Sequence, residues 1–264
     1  QELYTKRWAI GGTGFLGSFN DLLTNADANY TAAEYVRQQI KRVVKDKETA
    51  EILCPRSYPI GTKRICIDTG YFETYNRENV KLVDISKKPI QRLVADGIIV
   101  DDQLYAFDSI IFATGFDAMT GSIFNVDIKG RGGLALKEKW NAGPKTYLGL
   151  MSASFPNLFM ITGPGSPSVK SNMIMSIEQH VDLVIETLLS MRRKGLSVVE
   201  PELEAENKWV DHVQEVANKT LFPQANSWYM GANIPGKPRL FMPYIGGVGA
   251  YREICEEIVA NNYR

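Results

Sequence analysis

Residues 9–19 read AIGGTGFLGSF, and within them Gly12-Thr13-Gly14-Phe15-Leu16-Gly17 fits the G-x-G-x-x-G pattern letter for letter. If the match is a dinucleotide-binding turn, the chain opens on a cofactor domain. If it is not, the fold has to be read from elsewhere. Such a turn needs a buried strand before the glycines, a helix opening at the third glycine, and an acidic residue about 20 positions on for the ribose. Here Thr5–Ile10 (TKRWAI) makes a poor buried strand, and the residues after Gly17, SFNDLLTNADAN, favour caps and turns over helix interiors. The nearest acidic candidate, Glu34, falls inside a helical pattern. A short-chain reductase would need a tyrosine with lysine four residues later, and no tyrosine here has one. The stretch reads as a Gly-rich loop.

Working outward, the composition excludes several classes. Thirty basic residues balance thirty acidic ones in 264, which leaves no electrostatic footprint for nucleic acid or an anionic membrane. No apolar run reaches the length of a membrane span and no signal peptide opens the sequence, so a cytoplasmic protein is expected. Cys54, Cys66 and Cys255 form no C-x-x-C pair, which points to a reducing compartment and no metal site. His180 and His212 are the only histidines, too few neighbours for a Ser-His-Asp hydrolase; packed or solvated helix positions suit both.

The periodicity predicts a helix over 31–46, capped by Thr31 with Glu34 and striped by Ala33, Val36, Ile40, Val43 and Val44, then a short one over 47–53. Arg64–Asp68 and Val80–Ile85 read as short strands, and residues 89–107 as an antiparallel ribbon with turns at Asp96-Gly97 and Asp101-Asp102. Two continuously apolar runs follow, as in strands buried on both faces. Ser109–Ala113 stops at Thr114-Gly115, and Leu158–Thr162 stops at Gly163-Pro164-Gly165-Ser166-Pro167. In open α/β sheets ligands sit beyond the carboxyl ends of strands, so both ends are candidate cofactor edges. Ser176 with Gln179 caps a long helix closed by Gly195, its stripe of Ile177, Val181, Val184, Ile185, Leu188 and Leu189 reading as core. Trp209, Val213, Val216 and Ala217 mark another helix, and Tyr251, Ile254, Cys255, Ile258 and Val259 a terminal one. Between them SWYMGANIPGKPRLFMPYIGGVGAY is too rich in Gly and Pro for regular structure, and its aromatics argue for an ordered functional loop.

The motifs FATGFDAMTG, NLFMITGPGSPS, SIEQHVD, SWYMGANIPGKPR and GTKRICIDTGYFETYNRENV resemble those of Baeyer–Villiger flavin monooxygenases of the cyclohexanone and phenylacetone type. The resemblance runs from Gln1 to the end and covers only the carboxyl-terminal half of such an enzyme. The family's flavin-binding G-x-G-x-x-G, its F-x-G-x-x-x-H signature and its NADP-binding G-x-G-x-x-G all belong upstream, so a partner amino-terminal half is implied. The fold implied is α/β, an incomplete flavoprotein fold of two dinucleotide-binding domains (FAD and NADP) with a helical insert segment. Residues 1–62 would be the insert remnant, 63–116 the returning part of the NADP domain, and 117–264 the returning part of the FAD domain. The opening glycines would lie in the insert.

The same resemblance implies oxygenation of ketones by O2 to esters or lactones, and of sulfides, with FAD and NADPH as cofactors. The reaction runs through a peroxide anion that needs a fixed positive partner, for which arginine, always protonated and rigidly forked, suits better than lysine. By its place in GTKRICID, Arg64 matches the catalytic arginine, and Lys63 a residue near the 2′-phosphate of NADP. Thr114 and Gly115 would form the hinge between nucleotide domains. Gly163, Pro164 and Gly165 would make the flavin-side turn, and Asn172 with Met173 would aim a helix N-terminus at the flavin pyrimidine. Ser166, Pro167, Ser168, Val169 and Lys170 resemble the loop that shapes the substrate pocket. Trp228 matches a tryptophan near the nicotinamide ribose and the substrate. Two rival readings are a non-catalytic remnant acting as scaffold or binding module, and the short-chain reductase already set aside.

Overall fold

In the computed structural model, which describes residues 2–168 and 171–263, the residues before the opening glycines are helical. Helix α1 spans Glu2–Ile10, and Gly12–Gly14 and Leu16–Ser18 each make one 3-10 turn. Gly11 and Gly12 take φ of 76° and 56°, a backbone open to glycine at little cost. That reversal turns Phe15 inward, where it packs 5.4 Å from the Tyr4 ring and stacks at 5.9 Å on Tyr35. Among the described residues no strand precedes the glycines and no cofactor turn is formed.

The chain divides into two compact units, Gln1–Leu22 with Ala26–Gly115, and Leu23–Asn25 with Phe116–Arg264. In the first, helix α2 (Ala26–Val43) starts before the expected Thr31, because Thr31 Oγ1 donates to Ala28 O within the helix and does not cap it. Buried Asn29 ties α2 to its surroundings through Leu22 O at 2.7 Å and both the N–H and the carbonyl of Ile60. Helix α3 has the expected bounds, Lys47–Leu53, with Asp46 Oδ1 accepting from the Thr49 amide. Ile40, Val44, Ala50 and Cys54 make the core between α2 and α3. A single turn, α4, covers Tyr71–Thr74.

The ribbon is present: β1 (Ile90–Val94), β2 (Gly97–Val100) and β3 (Gln103–Ala106) pair antiparallel in that order. Val94 faces Gly97 and Val100 faces Gln103. Asp101 and Asp102 both have positive φ, as a two-residue type I′ hairpin requires. Gly97 opens β2 instead of sitting in the turn, and a Cβ there would lie 2.0 Å from Tyr105 O.

The other expected strands are not formed among the described residues. Arg64–Asp68, Val80–Ile85, Ser109–Ala113 and Leu158–Thr162 carry no ladder, and Ile111 stands 90% exposed. An apolar run records a preference for burial, but a strand exists only where a neighbour supplies the other half of its hydrogen bonds.

The second unit holds α5 (Gly121–Phe124), α6 (Leu136–Lys139), α7 (Met173–Lys194), α8 (Leu203–Asn218) and α9 (Val248–Ala260). Its main core joins Leu148, Leu150, Trp209, Val213, Tyr251 and Cys255. Helix α7 departs twice from expectation. Asn172, not Ser176, is its N-cap, and its apolar stripe points outward, with Val181, Ile185, Leu188 and Leu189 all exposed. The buried face carries Ser176, Gln179, His180, Thr187 and Ser190. Gly195 closes the helix in the left-handed conformation, as the sequence predicts. Residues 227–247 form largely irregular but packed backbone, with Tyr229, Phe241, Met242 and Tyr244 buried.

Candidate functional site

In the second unit the turn Gly163–Ser166 is buried and held at successive backbone groups. Gly163 O accepts from the Ser166 amide and hydroxyl, Pro164 O accepts from Thr146 Oγ1 at 2.6 Å, and Gly165 O accepts from Trp209 Nε1 at 3.1 Å. The Gly165 amide donates to Met242 O, and Ser166 O accepts from the Tyr244 amide. A Cβ on Gly163 would meet Gly149 O at 2.4 Å, and one on Gly149 would meet the Ser166 amide at 2.3 Å. The two turns interlock, so Gly163, Pro164 and Gly165 offer a fixed shape while their own polar groups are largely spent.

A buried ionic cluster backs this arrangement. Glu206 of α8, fully buried, accepts from Lys139 Nζ at 2.9 Å, Ser152 Oγ at 3.0 Å and the Ala153 amide at 2.8 Å. Lys139 also donates to Ala153 O. Sequence reading missed Glu206, since a glutamate among the charges of an amphipathic helix carries no mark of burial.

Helix α7 begins at Met173, capped by Asn172. Asn172 Oδ1 takes the Ile174 amide at 3.0 Å and Asn172 O takes that of Ser176. The remaining first-turn N–H groups, those of Met173 and Met175, lie at the positive end of the helix dipole. Beside it a cavity of about 310 Å³ is lined by Pro167, Ser168, Asn172, Met175, Ile245 and Gly247 among others. Ile245 and Gly247 had no role in the sequence reading; the irregular loop brings them there. Val169 and Lys170 lie outside the described residues. Trp228 opens a short 3-10 turn, half-buried against the cluster of Phe222, Tyr229 and Phe241.

His180 sits two turns into α7, fully buried, and its Nδ1 accepts the Thr162 amide at 3.1 Å. The Tyr251 ring of α9 stands edge-on at 5.6 Å. Burial pushes the imidazole pKa down to about 4 from an ordinary 6.5. Tyr251 donates its hydroxyl to Leu148 O, and burial raises its own pKa well above the phenol range, so it stays neutral throughout. The unfolded chain therefore takes up a proton that the folded one refuses, and stability falls as the pH drops from about 6.5 towards 4, by up to about 3 kcal/mol. Denaturant midpoints measured at pH 7.5 and pH 4.5 should show this acid loss shrinking in His180→Asn. Equal losses in both proteins would place the effect on another group.

The first unit carries Lys63 and Arg64 on backbone without regular structure. Lys63 Nζ lies 4.3 Å from the centroid of the Tyr58 ring, and Arg64 is exposed. Both line a cavity of about 390 Å³ that also touches Trp8, Gly12, Tyr58 and Cys66. The opening glycines thus supply a wall of this cavity. Thr114 and Gly115 lie on exposed backbone at the end of the unit, Gly115 with φ of 87°. Among the described residues no group of His, Cys, Asp or Glu could hold a metal ion, and no helix is long and apolar enough to cross a membrane.

No family model matches the chain. Among curated proteins, a Baeyer-Villiger monooxygenase of Pseudooceanicola batsensis is 40% identical over 100% of this chain and 48% of its own length. Cyclohexanone monooxygenase from Rhodococcus sp. Phi1, solved with NADP+, superposes with a TM-score of 0.94 at 38% identity, over 100% of this chain and 49% of that one. OTEMO in complex with FAD and NADP gives a TM-score of 0.92 at 38% identity, again over 100% and 49%. The chain spans about half the length of the curated relatives it matches.

Proposed function

Given a chain homologous over its full length to about half of the Baeyer–Villiger flavin monooxygenases, we propose that it supplies the carboxyl-terminal half of an FAD- and NADPH-dependent enzyme. That enzyme inserts one oxygen atom of O2 beside a ketone carbonyl to give an ester or lactone. The observation that carries this reading is the grouping, in one unit, of a locked glycine turn, an open helix N-terminus and a cavity of about 310 Å³. That volume suits a small ketone.

The cofactors, when bound, supply the electrons that reduce dioxygen. The protein's part is placement and charge. Gly163–Gly165, buried and rigidly held, fix the backbone on which the flavin side of the site is built. The N-terminus of α7 at Asn172 and Met173 favours negative charge on the ring edge nearest it. Pro167 and Ser168 shape the substrate space from one side, and Ile245 from another. Arg64 holds a permanent positive charge for the negative charge that oxygenation generates. Thr114 and Gly115 serve as the hinge, and Trp228 lies against the nicotinamide ribose.

Lys63 provides the test on the nucleotide side. Facing the 2′-phosphate, it makes an ionic hydrogen bond worth about 1.5 to 3 kcal/mol that NADH cannot offer. In the complete flavoprotein, Lys63→Ala should weaken NADPH far more than NADH in titrations followed by flavin reduction. Equal losses for the two nucleotides would place Lys63 elsewhere.

A further inference from the structure

Thr162 takes φ of 56°, a left-handed backbone that a β-branched residue adopts only when its surroundings impose it. It stands immediately before the locked turn. The groups that hold the turn, Thr146, Trp209, Met242 and Tyr244, act on residues 164 to 166. At Thr162 itself the hold is a side chain of α7, His180. We propose that His180 is a positioning residue: through Nδ1 it fixes the Thr162 amide, and so sets the turn Gly163–Ser166 against the helix whose N-terminus begins at Met173.

The chemistry of the group argues for this role over plain packing. To accept on Nδ1 the neutral ring must carry its proton on Nε2, and Nε2 is buried with no hydrogen-bond partner among the described residues. A buried donor left unpaired is destabilising. A leucine would fill the same space without that penalty. What the imidazole provides and leucine does not is an acceptor one bond from Cγ, at the height of Thr162. His180 and Met173 lie on one rigid helix, about 10 Å apart along its axis at 1.5 Å per residue. The bond therefore fixes two parts of the proposed flavin surface relative to one another, and the inference rests on that reading of the turn.

The test uses the geometry of the acceptor. Asparagine places its carbonyl oxygen near the position of Nδ1, glutamine places its amide near Nε2, and leucine supplies neither. In the complete flavoprotein, peptide-resolved amide exchange over residues 158–166 should stay slow in His180→Asn. It should rise about tenfold in His180→Gln and His180→Leu, the scale of one lost hydrogen bond. FAD affinity, measured by flavin fluorescence, should follow the same order. If leucine protects the segment as well as histidine does, the residue is packing alone and the proposal fails. If exchange follows the predicted order while FAD affinity is the same in every variant, His180 positions the turn but the turn does not hold flavin, and the functional reading fails instead.

Discussion

Replacing Arg64 with alanine in the complete flavoprotein is expected to lower ketone oxygenation by about two to three orders of magnitude, the usual loss on removing one preorganised donor from a charge-stabilising site. The fold should survive, because Arg64 is exposed on backbone that belongs to neither core cluster of its unit. Arg64→Lys should restore little, since the ammonium keeps the charge but loses the planar fork of donors. Rapid mixing of the reduced enzyme with oxygen, followed by product yield, separates loss of oxygenation from loss of flavin reduction. Unchanged conversion in Arg64→Ala would remove the arginine from the mechanism.

The second large effect concerns stability. Glu206→Ala should destabilise the protein by about 3 to 5 kcal/mol, because it leaves the Lys139 ammonium buried without its counter-charge. Lys139 is only 10% exposed at its side chain and cannot escape to water without opening the contact between α6 and α8. The loss should reach the proposed cofactor turn, since Ser152 and Ala153 belong to the same loop as Gly149, which interlocks with Ser166. Removing both charges, Glu206→Leu with Lys139→Met, should recover much of the stability, as replacing buried ion pairs by apolar residues often does. Denaturant midpoints of the two variants decide it. A Glu206→Ala protein as stable as the unmodified one would mean that water reaches Lys139.

Local signals were legible where the chain satisfies itself locally. The bounds of α3, the hairpin at Asp101-Asp102 and the glycine stop of α7 follow from caps, turns and chirality within a few residues. The rejection of Gly12–Gly17 as a cofactor turn rested on the same logic. What misled was every feature that depends on a neighbour. Ser109–Ala113 has the composition of a buried strand, yet among the described residues nothing pairs with it. The leucine and valine stripe of α7 looked like core, but its own unit meets the helix mainly through serine, threonine, glutamine and histidine, with Leu183 packed on the core. Of the proposed site, Lys63, Arg64 and the Gly163–Ser168 loop were visible as motif. The clamping roles of Thr146, Trp209 and His180 were not, although His180 falls within SIEQHVD, because a single hydrogen bond across the fold leaves no pattern in sequence.

The most direct measurement is oxygen labelling. The complete flavoprotein carrying this chain, supplied with FAD, NADPH and a cyclic ketone under labelled dioxygen, should release a lactone whose mass shows one labelled atom per molecule, with one NADPH oxidised for each. A product without label, or NADPH oxidation unaffected by ketone and yielding no lactone, would contradict the assignment of this chain to a Baeyer–Villiger oxygenation.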